Sequence, residues 1–177
     1  PRHFGITFSN KIPFDNLYSR AVIFEAIKKE NFNPETSVVL SPDMGSVKMS
    51  QGYAKHLGMN FALIDKRRYE HNKAEVIHLI GELKNMDVLI IDDMIDTAGT
   101  TVNAAELAFK KGAKSVTAIA THGVLSGEAI NKLKKSRIRK IIITDTIDIP
   151  NEKKIDKISI VSVSNLFGEA VNRVHNG

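Results

Sequence analysis

Short apolar runs rich in β-branched residues alternate along this chain with segments whose apolar residues recur at helical spacing. The runs are almost continuously apolar, which predicts strands that are buried on both faces of a sheet. The predicted strands are SVVLS (37–41), FALID (61–65), DVLIID (87–92), SVTAIAT (115–121), KIIITD (140–145) and ISIVSV (158–163).

One further segment, AEVIHLIGEL (74–83), fits either type of element. Its apolar residues have partial helical spacing, but the segment is short and contains Gly81. We therefore favour a strand here and keep a helix as the alternative.

Helical patterns occupy the stretches between the strands. One helix is expected from Val47 to His56, ended by Gly58, and the tail 166–175 is expected to form an amphipathic packing helix. The expected inward-facing stripes of the other helices are Leu17, Ala21, Val22 and Ile27; Val102, Ala105, Ala108 and Phe109; and Ala129, Ile130 and Leu133.

This alternation of strands and helices predicts a three-layer α/β domain built on a parallel sheet with right-handed crossovers. In such sheets ligands bind beyond the carboxyl ends of the strands. Polar residues that follow predicted strands are therefore the first places to look for chemistry.

Composition narrows the possible partners. Twenty-five Lys and Arg against twenty Asp and Glu leave a formal charge of +5, but the bases are scattered, which favours phosphorylated small molecules over nucleic acid. The absence of cysteine excludes disulfides, thiolate catalysis and Cys-bound zinc. No apolar run approaches a membrane span of about 20 residues and no signal-peptide pattern opens the chain, so we expect a cytoplasmic protein without a membrane partner.

The stretch VLIIDDMIDTAGTT (88–101) joins a predicted strand, a group of acids and a turn that leads into a helix expected from Val102 onward. The amino end of a helix and the Thr hydroxyls favour an anion, whereas the acids accept hydrogen bonds from hydroxyl groups or hold a divalent cation. A sugar phosphate satisfies both halves. The alternative is a solvated Asp pair followed by an ordinary helix cap at Thr97.

The stretch contains neither a Walker loop nor a dinucleotide-binding glycine fingerprint. It resembles the phosphoribosyl diphosphate (PRPP) loop of type I phosphoribosyltransferases and of PRPP synthetases, that is, ribose-phosphate pyrophosphokinases. Further stretches are similar to the synthetase family in particular, over essentially the whole chain. These are IPFDNLYS (12–19), SPDMGSVKMSQGYAKHLG (41–58), IDKRRYEHN (64–72), THGVLSG (121–127), TDTI (144–147) and SVSNLFGEAVNRVH (162–175).

The resemblance implies a type I phosphoribosyltransferase-like, Rossmann-like fold and a role for each matched residue. Asp43, which from its SPDMG context alone is a turn residue, would help to bind Mg²⁺, and Lys66 and Arg68 would be catalytic cations on a mobile loop that closes over the phosphates. The residues implied to bind ribose 5-phosphate are Asp92, Asp93 and Asp96 at the hydroxyls, with Thr97, Ala98, Gly99, Thr100 and Thr101 at the phosphate.

The implied reaction transfers a diphosphoryl group from ATP to ribose 5-phosphate and gives AMP and PRPP. Family members have about twice this length, so we expect residues 1–15 to be a remnant of a preceding domain or linker and residues 16–177 to be the C-terminal domain. Such a portion would bind ribose 5-phosphate or PRPP but would be inactive alone, and the full-length form would be a dimer or hexamer. The alternatives are a self-contained phosphoribosyltransferase and a non-catalytic homologue of the synthetases.

Overall fold

The computed structural model describes residues 15–67 and 76–176, with the side chains of residues 66, 67, 76 and 77 excepted. Its strands are β1 (Ser37–Ser41), β2 (Asn60–Arg67), β3 (Val76–Ile80), β4 (Asp87–Ile95), β5 (Ser115–Gly123), β6 (Lys140–Thr144) and β7 (Ile158–Val161). Its helices are α1 (Arg20–Lys28), α2 (Val47–Leu57), α3 (Gly99–Lys110), α4 (Ala129–Lys135) and α5 (Ser164–Asn176), with 3₁₀ turns at Pro34–Thr36 and Asn151–Lys153.

The strands form one sheet in the order β3-β2-β1-β4-β5-β6-β7. Segment 74–83 contributes the strand β3, which confirms the favoured interpretation. Neighbouring strands are parallel as predicted, except that β3 is antiparallel to β2. The short connection over residues 68–75 explains this exception, because a parallel crossover needs a dozen residues or more.

Helices cover both faces of the sheet and give the three layers that the sequence predicts. On β4, Val88 and Ile90 belong to one core cluster, which also contains buried residues of α3 and α4. Leu89 and Ile91 belong to the other cluster, which contains buried residues of α1 and α2. Alternate residues of one strand thus face opposite layers, which is why its apolar run is continuous.

The predicted inner face of the first helix is wrong in detail. The buried residues of α1 are Ile23, Phe24, Ala26 and Ile27, whereas Ala21 is exposed. The Phe24 ring packs edge-on against Tyr53, with 4.9 Å between centroids, and stacks on His56 of α2. Burying large side chains such as Ile23 and Phe24 releases more apolar surface from water than burying Ala21, and this decides the rotation of the helix.

The tail forms a helix as predicted, but it does not pack as predicted. No residue of α5 is buried, and Phe167, Val171 and Val174 are 52%, 67% and 74% exposed. The start of this helix is nevertheless anchored, because the amide of Val163 donates to the Asp145 carboxylate at 2.8 Å. Hydrogen bonds from the Ser162 side chain and the Val163 amide lower the pKa of Asp145.

Among the residues that the structure describes, no helix combines the length and the apolar character that crossing a bilayer requires.

Candidate functional site

The acids of the central strand lie where the sheet becomes narrower. The paired residues of β1 and β4 end at Leu40 and Ile90, whereas β4 continues beside β5 with Asp92 opposite Ala120. Asp92 and Asp93 are therefore the last part of the strand rather than residues that follow it, and one edge of this segment is no longer covered by β1. A carboxylate there reaches solvent while its backbone remains held by the sheet.

A tight turn joins β4 to α3. Ala98 has φ +60° in the left-handed region and is the residue that precedes the helix, without a side-chain hydrogen bond to cap it. Thr97 is therefore not the cap that the alternative interpretation required. The helix begins at Gly99, earlier than the expected start at Val102, because the Val102 amide already donates to the Ala98 carbonyl at 3.0 Å.

The amino end of α3 is a favourable place for an anionic ligand. Amides of the first helical turn have no carbonyl partner within the helix, and the helix dipole adds positive potential at this end. Gly99, Thr100 and Thr101 provide those amides. Thr101 as a whole is only 2% exposed, so it presents little surface of its own to a ligand.

One cleft of about 330 Å³ brings the predicted residues together. Its lining is polar and combines the acids of β4 with the amino end of α3. The residues that line it are Asp43, Asp92, Asp93, Met94, Ile95, Asp96, Thr97, Ala98, Gly99, Thr100 and Thr101.

Among the acids at the cleft, Asp92 has a raised pKa. Burial, helped by the negative charges of Asp43 and Asp93, raises the pKa of Asp92 to about 7 from its ordinary value of 3.8. A hydrogen bond from the Asp93 amide to Asp92 Oδ1, at 2.9 Å, opposes part of this shift. A ligand that brings hydroxyl donors or a cation would therefore stabilise the ionised form of Asp92.

Asp43 has a structural role that its turn context indicated. Its Oδ1 accepts hydrogen bonds from the Gly45 amide at 2.9 Å and from the Ser46 amide and hydroxyl, both at 3.1 Å. These bonds shape the connection from β1 to α2. In residues 15–67 and 76–176, no group of three or more His, Asp or Glu side chains could hold a metal ion, so the metal role of Asp43 stays a prediction.

The predicted catalytic cations lie at the margin of what the structure describes. The backbone of Lys66 is in β2, opposite Ile77 of β3, but its side chain lies outside the described residues. Arg68 lies outside them entirely. Their roles stay predictions.

Two residues that sequence reasoning did not assign make hydrogen bonds to the turn. Ser126, in the loop after β5, donates its hydroxyl to the Asp96 carboxylate, and its amide donates to the Asp96 carbonyl at 3.1 Å. Lys132 of α4 donates from Nζ to the Thr97 carbonyl at 3.1 Å. The THGVLSG stretch contained Ser126, but only the position of β5 beside β4 reveals this contact.

Comparison with known proteins identifies the family. The family model described as phosphoribosyl synthetase-associated domain matches residues 67–177. The chain belongs to this family. It is 47% identical to a ribose-phosphate pyrophosphokinase of Caldanaerobacter subterraneus subsp. tengcongensis over 94% of its own length and 52% of that protein. It is also 44% identical to a ribose-phosphate pyrophosphokinase of Aquifex aeolicus, over 94% of its own length and 53% of that protein. The chain thus spans about half the length of these curated relatives.

Solved structures agree with this assignment. The phosphoribosylpyrophosphate synthetase of Mycobacterium smegmatis is 33% identical and superposes with a TM-score of 0.79, over 88% of this chain and 50% of that one. APRTase from Giardia lamblia is 20% identical, with a TM-score of 0.54 over 69% of this chain and 76% of that one, and shares the fold. The type I phosphoribosyltransferase-like fold is thereby established.

Proposed function

We propose that this chain is the sugar-phosphate-binding half of a ribose-phosphate pyrophosphokinase, which converts ATP and ribose 5-phosphate to AMP and PRPP. The observation that carries the proposal is a cleft whose lining combines the carboxylates of β4 with the amino end of α3, which no side chain caps. Ribose 5-phosphate carries hydroxyls, which suit carboxylates, and a phosphate, which suits a helix amino end.

The sugar end of the ligand would lie at the acids. Carboxylates only accept hydrogen bonds, so vicinal hydroxyls are suitable donors to Asp92, Asp93 and Asp96. Binding would also give Asp92 donors that favour its charged form, which burial otherwise penalises.

The phosphate end would lie at the turn and the first turn of α3. Gly99 and Thr100 offer amides at the positive end of the helix dipole, and Thr97 and Thr100 are exposed and add hydroxyl donors. Ala98 and Thr101, which are 3% and 2% exposed, would contribute mainly by holding the shape of the turn. The left-handed Ala98 is an uncommon conformation for a residue with a side chain, of the kind that occurs where a binding turn is held in one shape.

Mg²⁺ fits the donor chemistry of the cleft. Hard divalent cations prefer carboxylate oxygens, and Mg²⁺ is often bound through one or two carboxylates together with substrate phosphates. Asp43 would hold it through Oδ2, because Oδ1 already accepts hydrogen bonds. When bound, the ion would neutralise charge on the phosphate oxygens.

The ATP end of the reaction would depend on Lys66 and Arg68, whose positive charges would stabilise the diphosphoryl group during transfer. The chain spans about half of its curated relatives, so we propose that it binds ribose 5-phosphate or PRPP but does not form PRPP alone. A full-length protein would further be expected to assemble into dimers or hexamers.

Isothermal titration with ribose 5-phosphate tests the binding proposal. The double variant Asp92→Asn, Asp93→Asn keeps the side-chain shapes but removes both charges. Hydrogen bonds to charged groups contribute about 1.5 to 3 kcal/mol each, so affinity should fall at least tenfold. Asp148→Asn, at an exposed carboxylate that does not line the cleft, should bind as the parent chain does. Unchanged affinity in the double variant would overturn the proposal.

Activity assays separate the remaining possibilities. The purified chain with ATP, Mg²⁺ and ribose 5-phosphate should release no AMP above background, and steady PRPP formation would contradict the proposed incompleteness. A self-contained phosphoribosyltransferase would instead release diphosphate from PRPP only when a nucleobase is added.

A further inference from the structure

We propose that Ser126 and Lys132 are positioning residues that hold the turn at residues 96–98 in its binding shape through contacts outside the cleft. The inference rests on the proposed function of the cleft, because it concerns how that cleft keeps its form. Neither residue lines the cleft, so each would act through the turn residue that it contacts.

Ser126 holds Asp96 at two points. Its hydroxyl donates to Asp96 Oδ1 and its amide donates to the Asp96 carbonyl, so the side chain and the backbone of Asp96 are fixed together. Oδ2 of Asp96 accepts no hydrogen bond from any residue that the structure describes. The contact with Ser126 therefore orients the carboxylate and leaves one oxygen available to a ligand hydroxyl.

Lys132 holds the next residue of the turn. Its ammonium group donates to the Thr97 carbonyl at 3.1 Å, across from α4 to the turn that precedes α3. This hydrogen bond fixes the Thr97 carbonyl and with it the plane of the peptide between Thr97 and Ala98. The Ala98 amide lies in the same plane, so its direction is fixed too. Lys132 thus helps to orient an amide of the phosphate-binding turn without touching the phosphate.

The loop that carries Ser126 is itself firmly held. The amides of Val124 and Leu125 both donate to the Ile95 carbonyl, at 3.0 and 3.1 Å. Leu125 has φ +51° and is completely buried. Burial of its side chain in the core offsets the cost of this unfavourable backbone conformation. A loop fixed in this way is a rigid support for the turn beside it.

Rigid support matters because Ala98 is left-handed and no side chain caps α3. A turn without local stabilisation would sample other shapes, and ligand binding would then have to select the correct one. Contacts that orient a ligand-binding group commonly change affinity by about tenfold or more when they are removed. The turn obtains this support from the loop after β5 and from α4.

The test measures ribose 5-phosphate affinity and thermal unfolding for the same set of variants. Ser126→Ala should weaken binding about tenfold and Lys132→Met several-fold, while the unfolding midpoint moves by less than about 4 °C. Ser126→Thr and Lys132→Arg keep a donor and should recover most of the affinity. Ser126→Cys keeps the side-chain size with a weaker donor, and it replaces Ser126→Ala in the comparison if that variant fails to fold.

Lys135→Met provides the matched control, because it removes the same charge from the same helix without a contact to the turn. Equal loss of affinity in Lys132→Met and Lys135→Met would overturn the role of Lys132 and leave a general charge effect. Parent-like affinity in Ser126→Ala would overturn the role of Ser126.

Hydrogen exchange separates this inference from the proposed function. In the ligand-free chain, the amides of residues 97–101 should exchange faster in Ser126→Ala than in the parent, whereas amides of β1 should not change. Failure of the parent chain to bind ribose 5-phosphate would refute the proposed function. Unchanged exchange in the turn would refute positioning by Ser126, whatever the ligand is.

Discussion

The Ser50 hydroxyl donates a hydrogen bond of 3.1 Å to the Ile91 carbonyl and ties α2 to β4 immediately before the acids of the cleft. Ser50 is completely buried. The pairing of β1 with β4 ends one residue earlier, at Ile90, so Ser50 supplies a donor at the point where β1 no longer does. A polar side chain in a helix thus completes the edge of a strand.

Ser50→Ala should lower the free energy of unfolding by about 1 kcal/mol, because it removes a buried hydrogen bond and leaves a carbonyl less well satisfied. Urea denaturation monitored by circular dichroism measures this change. Ser164→Ala, at an exposed position, should change the free energy by less than about 0.5 kcal/mol. Equal effects of the two substitutions would show that the contact with Ile91 contributes nothing to stability.

Asp92 should make the stability of the ligand-free chain depend on pH. Its pKa is about 7 in the folded chain, mainly through burial, against an ordinary value of 3.8. Between these values the unfolded carboxyl loses its proton while the folded one keeps it, so the folded state binds more protons. The free energy of unfolding should therefore fall as pH rises from about 4 to about 7, and the Asp92 penalty should then stay constant at higher pH.

The measurement compares the parent chain with Asp92→Asn by urea denaturation at a series of pH values. The difference in the free energy of unfolding between the two chains isolates the Asp92 contribution. As pH rises from about 4 to about 7, the parent chain should lose stability relative to Asp92→Asn. A difference that does not change with pH would show that Asp92 titrates normally. Saturating ribose 5-phosphate should reduce the effect in the parent, if the ligand stabilises the carboxylate as proposed.

Local patterns predicted much of this fold. Continuous apolar runs correctly located the strands because residues such as Val88 and Leu89 face opposite layers and both are buried. The antiparallel direction of β3 was not predicted, because hydrophobic periodicity carries no information on strand direction. An apolar stripe predicted α5, but periodicity cannot say what, if anything, covers that stripe.

The sequence likewise predicted one part of the candidate site and missed another. Residues 92–101 are contiguous, so one strand, turn and helix bring them to one cleft, and the sequence could indicate them together. Ser126 and Lys132 reach the turn only because β5 lies next to β4 in the sheet and α4 packs beside α3. Contacts of this kind depend on strand order, which a single sequence does not contain.

The exposure of α5 predicts an unusual tolerance to substitution. Phe167→Ala should change the free energy of unfolding by less than about 0.5 kcal/mol, because its ring is 52% exposed. Phe24→Ala should cost about 3 to 5 kcal/mol, since that ring is 7% exposed and packs against Tyr53. Urea denaturation of both variants at low protein concentration tests the contrast. A large loss in Phe167→Ala would mean that α5 packs within the monomer.

Replacing each of two glycines that have positive φ with alanine should change stability by different amounts. Gly81, just after β3, has φ +108°, and an added Cβ would lie 2.7 Å from the Ala62 Cβ and 2.9 Å from the Ala62 Cα. Gly58, after α2, has φ +65° and nothing within 4 Å of an added Cβ. Both substitutions place a side chain in the left-handed region, but only Gly81→Ala also pushes against a buried strand.

Gly58→Ala should therefore cost about 1 kcal/mol of unfolding free energy, which is the backbone penalty alone. Gly81→Ala should cost about 3 kcal/mol, because β2 must shift to remove the overlap with Ala62. Urea denaturation gives both values under identical conditions, and the Gly58 variant acts as the control for backbone strain. Equal costs would mean that β3 moves away from β2 freely, and that the close approach at Gly81 does not fix the position of this antiparallel strand.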